Sequence, residues 1–519
     1  LSGNLKDNAA RKMFTVPARA ASLQFGPLPP ALASARRTVA KWPGASAKSF
    51  RMNSVAIIGA GITGLTAAFY LKRGEVPVTV YEAGARAGGV IQSVRRDGFL
   101  AECGPNTILE TSPKIARLVQ DLNLEPRRIH PHPGAKNRFV VRHGKPFAMP
   151  SSQAEFLTTK LFSARAKFAL AREPFVPARS DGVEESVAEF VLRRLNREFL
   201  DRAIDPLVAG IYAGDPEKLS VRHAFPKLLE TEQKYGSLLK GQFFGARDRK
   251  KSGEVSRRDA RMFSFDDGLQ VLTDALAAEL GDSLKLNTPV TKLARTENGW
   301  RVSTCNCEAD HGAVIFCGTA HKLAELKISG TGFQPVLAPV ETHRQDACAT
   351  TPFSEIRHPP VASVVLGFQR EDVAHPLDGF GMLIPKIEGF KILGTIFSSS
   401  LFPNRAPENC VALTTYVGGE RQPELASLPA DELVKLVCED LRVLLGVKGE
   451  PVFAHHHFWP RAIPQYNVGY GRFKDLLDEI ESKSPGLFFA GSFRDGVSLG
   501  DSIVSGCHIA ERVAAGVES

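Results

Sequence analysis

The chain reads as an α/β protein organised around a Rossmann-like dinucleotide-binding unit, and three features of the sequence predict it. A short apolar run at 54–58 enters Gly59-Ala60-Gly61-Ile62-Thr63-Gly64, a helix-spaced stretch carries Leu65, Ala68, Phe69 and Lys72 to Gly74, and an alternating strand at 76–81 ends on Glu82. A second glycine-rich stretch, Gly84-Ala85-Arg86-Ala87-Gly88-Gly89, follows at once. Near the C-terminus a strand at 487–490, a loop bounded by Gly491 and Gly496 and a helix over 498–513 repeat the order strand, glycine turn, helix.

In the first unit each residue type has a physical reason. Gly59 permits a sharp turn, Gly61 lets a pyrophosphate approach the backbone, Gly64 lets the helix lie close on the strand, and the helix N-terminus offers N–H groups and a positive dipole end. Glu82, 18 residues beyond Gly64, is placed to accept hydrogen bonds from ribose hydroxyls. An acid there disfavours a 2′-phosphate. The glycine pattern alone is weak, but inside a strand-turn-helix-strand-Glu frame it is specific. A nicotinamide dehydrogenase has no need of the second glycine-rich stretch, whereas a flavin, with a ribityl chain and a tricyclic ring to thread past backbone, does. Arg86 is placed there to meet a phosphate. Residues 90–95, the turn Asp97-Gly98 and 99–102 then read as a hairpin, closed by the loop Cys103-Gly104-Pro105-Asn106.

The remaining elements follow in order. Residues 137–142 begin a hairpin on which Arg138, Val140 and Arg142 alternate. Residues 156–175 place Leu157, Leu161, Phe162, Phe168 and Leu170 among Lys160, Arg165, Lys167 and Arg172, the pattern of a basic amphipathic helix that can lie on an anionic bilayer or pack on a core. Residues 263–280 read as a helix with Leu269, Leu272, Leu276 and Leu280 on one stripe. Residues 313–316 are a buried strand leading to a helix at 321–326, and 361–368 are another apolar strand.

Composition bounds the rest. At 519 residues, 43% hydrophobic and 23% charged, the chain has the make-up of a globular protein of two to four domains. It contains no apolar run of the roughly 18 residues that a spanning helix needs. The net charge of +9 is concentrated in residues 1–53, which hold nine Lys/Arg against the single acid Asp7, so the basicity is no evidence for a nucleic-acid groove. That extension fits disorder, a non-native segment ahead of Met52, or a transit peptide, and it takes no part in fold reasoning. Eight cysteines are scattered without a C-x-x-C pair; Cys305 and Cys307 lie two apart in what reads as a strand. His455, His456 and His457 would alternate faces in a strand, so no metal site is expected.

Together with these segments, the fingerprint and its Arg-x-Gly-Gly run resemble the flavin-containing amine oxidase superfamily, and within it the branch that oxidises porphyrinogens. The branch-level likeness rests on Asn137-Arg138-Phe139, Ala213-Gly214-Asp215-Pro216 with Leu219-Ser220, Gly379-Phe380-Gly381, residues 394–399, Phe402-Pro403, Ile463-Pro464-Gln465-Tyr466 and residues 491–501. Two departures stand out: residues 329–352 exceed the usual connection and read as a surface insertion loop, and Asp266-Asp267-Gly268 replaces paired glycines.

The resemblance implies a discontinuous Rossmann-like FAD-binding domain (54–112, 260–326, 454–519), a mixed-sheet substrate domain (126–150, 216–259, 353–453) and a helical membrane-facing region (113–125, 151–215). It implies FAD as the only cofactor, contacted by Gly59, Ala60, Gly61, Ile62, Thr63, Gly64, Glu82, Ala83, Arg86, Gly89, Val90, Gly104, Pro105, Asn106, Thr107, Val290, Ser492, Val497, Ser498 and Leu499. No metal and no catalytic side chain is implied, because the flavin carries the chemistry. Arg138 would pair with a substrate propionate, and Leu383 and Phe397 would sandwich the tetrapyrrole. Read without the resemblance, Arg138 is rather a solvated strand cation, and Leu383 and Phe397 are rather ordinary core. The implied reaction is oxidation of protoporphyrinogen IX to protoporphyrin IX, with oxygen reduced to hydrogen peroxide. The rivals are coproporphyrinogen III oxidation, another amine oxidase-type reaction, and a flavin-binding scaffold without turnover. The implied partners are the porphyrinogen and oxygen, with no nucleic acid. A cytoplasmic location, peripheral on the inner face of the cell membrane, and a homodimer complete the expectation.

Overall fold

The computed structural model describes residues 54–179, 181–242, 244, 260–330 and 351–517. The basic extension, most of the insertion loop and residues 245–259 of the expected substrate domain lie outside them.

A five-stranded parallel sheet sits at the centre, in the order Leu284–Lys285, Val78–Tyr81, Val55–Ile58, Ala313–Phe316, Leu487–Phe489. Val55–Ile58, Ala313–Phe316 and Leu487–Phe489 are continuously apolar because both faces are covered. Val55, Ile57, Val80 and Ile315 point to one side, where they pack on the fingerprint helix Ile62–Arg73, the helix Gln270–Leu280 and the terminal helix Leu499–Val517. Ala56, Ile58, Val314 and Phe316 point to the other, against Leu293, Trp300 and Val302 of a four-stranded sheet. The fingerprint and terminal helices approach closely because Gly506 faces Thr63 and Thr66; a Cβ at Gly506 would lie 2.6 Å from the Thr63 carbonyl oxygen.

A mixed seven-stranded sheet forms the second body, in the order Phe453–Trp459, Val361–Gln369, Cys410–Gly418, Ile392–Ile396, Gly379–Leu383, Asn137–Arg142, Lys145–Ala148. Ala362, Val364, Leu366 and Phe368 pack on Leu433, Val437 and Leu441 of the helix Ala430–Leu445, whose acidic first turn and Gly446 in the left-handed region fit a well-bounded helix. The opposite face of this sheet turns toward the nucleotide-binding body: Gly367 lies under Phe99, where a Cβ would come within 2.4 Å of the ring.

Between the bodies runs a set of short helices from Gln153–Thr158 to Pro226–Tyr235. Their core includes a fully buried Arg194 held by Glu173 and Glu232, a geometry that leaves no charge unpaired. None of the described helices is long and apolar enough to cross a membrane.

Several sequence expectations are corrected. Residues 156–175 are not one helix: Gln153–Thr158 and Ala164–Arg172 are separated by a break that Lys167 closes by donating to the carbonyls of Leu157 and Thr159. The apolar face divides accordingly, with Leu161 and Phe162 buried while Leu157 and Phe168 stand exposed. Residues 261–265 are a strand, and only Gln270–Leu280 is helical. Cys305 and Cys307 occupy the turn between Gly299–Thr304 and Glu308–His311 rather than a strand. The helix Pro113–Asp121 packs in the nucleotide-binding core through Ile115, Leu118 and Val119, not in the helical region. Phe453–Trp459 pairs with Val361–Gln369 as an edge strand of the seven-stranded sheet, not as part of the nucleotide-binding body.

Candidate active site

The first glycine turn is built for a ligand. Gly59 has φ +103°, a conformation that side chains resist. A Cβ at Gly64 would lie 2.1 Å from the Gly59 carbonyl oxygen, so this glycine is required by packing. Gly61 differs: its φ of −71° suits any residue, and a Cβ there would meet nothing within 4 Å. Neither backbone nor packing demands its missing side chain, which points to a group that approaches from open space. Glu82 receives hydrogen bonds from Ala60 N (2.8 Å) and Gly84 N (2.7 Å), which fix its carboxylate at the strand end with lone pairs left for hydroxyls.

The second glycine stretch lies on the first. Gly88 N donates to Ala60 O at 2.8 Å, and a Cβ at Gly89 would come within 3.2 Å of Gly61 Cα. The Arg86 guanidinium donates to the carbonyls of Ala87, Gly89 and Ile91 and so holds the shape of its own loop. Ala83 and Val90 are exposed beside it, and Ile62 and Thr63 are buried in the helix that follows.

The loop 103–107 is tied down from the seven-stranded sheet. Tyr416 Oη donates to Gly104 O (3.0 Å) and accepts from Asn106 Nδ2 (2.6 Å), while Trp459 Nε1 donates to Cys103 O (2.8 Å). Burial raises the Tyr416 phenol well above its ordinary range, so it stays a donor. Burial likewise pushes the Cys103 thiol up to about 11; its Sγ lies 3.3 Å from His455 Nε2. Pro105 and Thr107 are half-buried in the same loop, and Val290, also half-buried, begins its strand paired with Thr304.

The loop 491–496 is gripped by two tyrosines. Tyr466 Oη donates to Ser492 O and accepts from Gly496 N (3.1 Å), and Tyr470 Oη donates to Phe493 O (2.5 Å). Both rings are buried, with centroids 4.4 Å apart, so they lie beneath the loop rather than forming an open aromatic cage. Ser498 caps the terminal helix by accepting from Asp501 N at 3.1 Å, next to half-buried Val497 and buried Leu499. Thr63 Oγ1 donates to Ser502 O (3.1 Å), which sets the first turn of the terminal helix beside that of the fingerprint helix. Two positive helix ends therefore converge near open space at Gly61, an arrangement that suits an anionic dinucleotide.

Strand register defines the sheet face beside these loops. Val140, Leu383, Gly394, Tyr416, Ser363 and His457 stand in one row across six strands, and Arg138, Gly381, Ile396, Thr414, Val365 and His455 form the next. Arg138 and Leu383 thus share the face that carries Tyr416. Three strand steps, about 14 Å, separate Arg138 from the Tyr416 strand. Arg138 is exposed, and among the described residues no hydrogen bond or ion pair engages its guanidinium. Arg142 is occupied, donating to the carbonyls of Lys160 and Leu161. Leu383 packs under the helix Asp205–Tyr212, where a Cβ at Gly210 would reach within 2.6 Å of its Cδ2. Phe397 is not part of this face. It is fully buried against Phe139 and His375 in the core beneath the helix Ala430–Leu445, because one residue past the strand Ile392–Ile396 its side chain falls on the opposite side. Sequence reasoning missed Tyr416, Trp459, Tyr466 and Tyr470; Tyr466 ends the segment Ile463-Pro464-Gln465-Tyr466, but nothing near in sequence announced their partners.

The family model described as flavin containing amine oxidoreductase matches residues 62–514. Protoporphyrinogen oxidase 2 of Arabidopsis thaliana, chloroplastic/mitochondrial, is 37% identical over 496 aligned positions, covering 90% of this chain and 94% of the relative. The mitochondrial protoporphyrinogen oxidase of Nicotiana tabacum is 36% identical, covering 90% and 95%, and the coproporphyrinogen III oxidase of Bacillus subtilis (strain 168) is 31% identical, covering 87% and 96%. Among solved structures, a protein from Exiguobacterium sp. 255-15 superposes with a TM-score of 0.74 at 23% identity, covering 90% of this chain and 99% of that one. That likeness concerns the fold.

Proposed function

Since the chain belongs to the flavin containing amine oxidoreductase family, we propose that it is an FAD-dependent, oxygen-dependent oxidase that converts protoporphyrinogen IX to protoporphyrin IX in heme biosynthesis. The observation that carries the substrate is the placement of Arg138: an exposed cation without a partner among the described residues, at one end of a largely apolar face whose other end touches the cofactor loop through Tyr416. That separation suits a tetrapyrrole anchored by a propionate.

The open space at Gly61 supports the fit of these residues to FAD. The dinucleotide would lie along Gly59 to Gly64, with Glu82 on a ribose and Val290 near the adenine. Gly104 to Thr107, Ser492 and Val497 to Leu499 would flank the flavin. When bound, FAD supplies the hydride-accepting ring and returns the electrons to oxygen as hydrogen peroxide. The protein's own work is orientation. Arg138 binds a carboxylate, bidentately where geometry allows. Leu383 and Ile396 offer aliphatic surface to the macrocycle. Tyr416, Tyr466 and Tyr470 hold the backbone loops against which the ring would rest.

The relative from B. subtilis favours coproporphyrinogen III as the second reading. Its four propionates call for more cations, whereas Arg142, the nearest cation on the Arg138 strand face, is already occupied. The helical region is proposed to face a membrane surface. Exposed Leu157, Phe168 and Phe175 beside Arg165 and Arg172 support this, and a cytoplasmic, peripheral location and a homodimer belong to the same reading. The deciding experiment incubates the purified yellow protein aerobically with each porphyrinogen and follows porphyrin fluorescence. Rapid appearance of protoporphyrin is expected. A faster reaction with coproporphyrinogen III would replace the substrate assignment, and a flavin that stays oxidised with both substrates would end the oxidase reading.

A further inference from the structure

We propose that Cys305 and Cys307 form a surface dithiol that hydrogen peroxide closes into an intramolecular disulfide. Of the described cysteines, Cys103, Cys317, Cys438 and Cys507 are buried, Cys410 is half-buried, and only Cys305 and Cys307 are exposed. They stand on either side of Asn306 in the turn that joins two paired strands, one step beyond the pair Ser303 and Glu308. Thr304 shapes this turn. Its N–H donates to Cys307 O at 2.9 Å, and its Oγ1 accepts from Cys307 N (3.1 Å) and Asn306 N (3.3 Å). The same hydroxyl lies 3.3 Å from Cys307 Sγ. The N–H groups of Thr304, Asn306 and Cys307 are thus satisfied within the turn, and both cysteines stand exposed.

Geometry allows closure. Two successive Cα steps span at most about 7 Å when extended. A turn shortens that span into the range of about 4.4–6.8 Å over which disulfides form. An exposed thiol with a neighbour in reach follows the reversible branch of cysteine oxidation, because the second thiol traps the sulfenic acid before further oxygen is added.

The chemistry balances. One cysteine thiolate attacks a peroxide oxygen; an S–O bond forms, the O–O bond breaks and hydroxide leaves. The second cysteine then attacks that sulfur; an S–S bond forms, the S–O bond breaks and a second hydroxide leaves. With the two thiol protons this yields two waters, the sulfurs losing two electrons and the peroxide gaining them. The proposal rests on the oxidase reading only for the origin of the oxidant. Added peroxide tests it separately.

The full-length holoenzyme is treated with submillimolar hydrogen peroxide, labelled with maleimide without denaturation, then digested and weighed. Loss of two labelled thiols is expected, with the peptide that carries both residues lighter by two hydrogens and restored by reductant. Cys348→Ser is expected to leave this change intact, whereas Cys305→Ser and Cys307→Ser each abolish it and instead accumulate a dimedone-reactive sulfenic acid. Persistence of both labels, gain of oxygens alone, or pairing with Cys348 or with another molecule would overturn the proposal. If porphyrinogen turnover yields no peroxide, the oxidase reading fails, while the response to added peroxide still decides the dithiol.

Discussion

Gly61 and Gly64 are three residues apart and lack side chains for different reasons, which makes them separable by substitution. At Gly64 a Cβ would collide with the Gly59 carbonyl, so Gly64→Ala is expected to cost about 1–3 kcal/mol of stability as an overpacked contact. At Gly61 the backbone accepts alanine and the space is empty, so Gly61→Ala should unfold within a few degrees of the parent yet bind FAD at least tenfold more weakly. Thermal melts of the apoprotein and FAD titration together read both, and equal FAD affinity in Gly61→Ala would remove the pyrophosphate from that position. Arg138→Ala is a second case: losing a charge-assisted hydrogen bond of about 1.5–3 kcal/mol should raise KM some tenfold to a hundredfold while kcat changes little. Arg138→Lys, which keeps the charge but not the fork, should recover part of it, and steady-state kinetics would show otherwise if kcat fell instead. At this scale much was legible beforehand. The turn at Gly59 and the close packing at Gly64 were readable because they depend on residues a few positions apart. The structural part played by Arg86 was not legible, because the carbonyls of its own loop become its acceptors only once that loop has folded.

Among the elements, the terminal strand, loop and helix show how a local prediction becomes a site only through distant partners. The helix was legible from its apolar spacing, but what positions its preceding loop is Tyr466, which bridges Ser492 and Gly496 with one hydroxyl. Tyr466→Phe keeps the ring in its buried place and leaves a carbonyl and an N–H without that partner, at a cost of about 1–3 kcal/mol. Because the loss falls on the loop expected at the flavin, FAD affinity should drop about tenfold, and the visible circular dichroism of the bound flavin should change. Tyr470→Phe, touching only Phe493 O, should have the smaller effect. Unaltered flavin dichroism in Tyr466→Phe would reduce the tyrosine to packing. The stretch 156–175 teaches the converse. Its periodicity resembled one amphipathic helix, yet Leu161 and Phe162 satisfy the core while Leu157 and Phe168 do not, and a break lets the two halves present different faces. Phe397, expected at the macrocycle only from the resemblance, follows the strand that ends at Ile396 and lies in the core beneath the helix Ala430–Leu445.

Across the whole molecule the nucleotide-binding body and the seven-stranded sheet meet at contacts that join residues up to several hundred positions apart, such as Gly104 with Tyr416 and Cys103 with Trp459. Such pairs follow from sheet register, which no single stretch of sequence encodes, so how the two bodies meet was not legible beforehand. Beside this junction lies a buried carboxylate with a measurable signature. Glu102, at the end of the hairpin strand Phe99–Glu102, accepts from Ser93 Oγ (2.6 Å) and Leu269 N (2.9 Å), and its closest cation, Arg405 on the chain that follows the sheet strands, stands 3.8 Å away. Burial, only partly offset by Ser93 and Arg405, raises its pKa to about 7. A raised carboxyl binds its proton more tightly in the folded than in the unfolded chain. Its contribution to stability is therefore complete below about pH 4.5 and is lost as pH rises through about 7. Glu102→Gln has no such titration, whatever its own offset from leaving Arg405 without a counterion. The stability of the parent minus that of Glu102→Gln should accordingly fall by about 2 kcal/mol between pH 5 and pH 8, measured by urea unfolding of matched apoproteins. A difference that is flat or rises with pH would mean that Arg405 holds Glu102 ionised throughout, and the two bodies would then be joined by a permanent ion pair rather than by a protonated carboxyl.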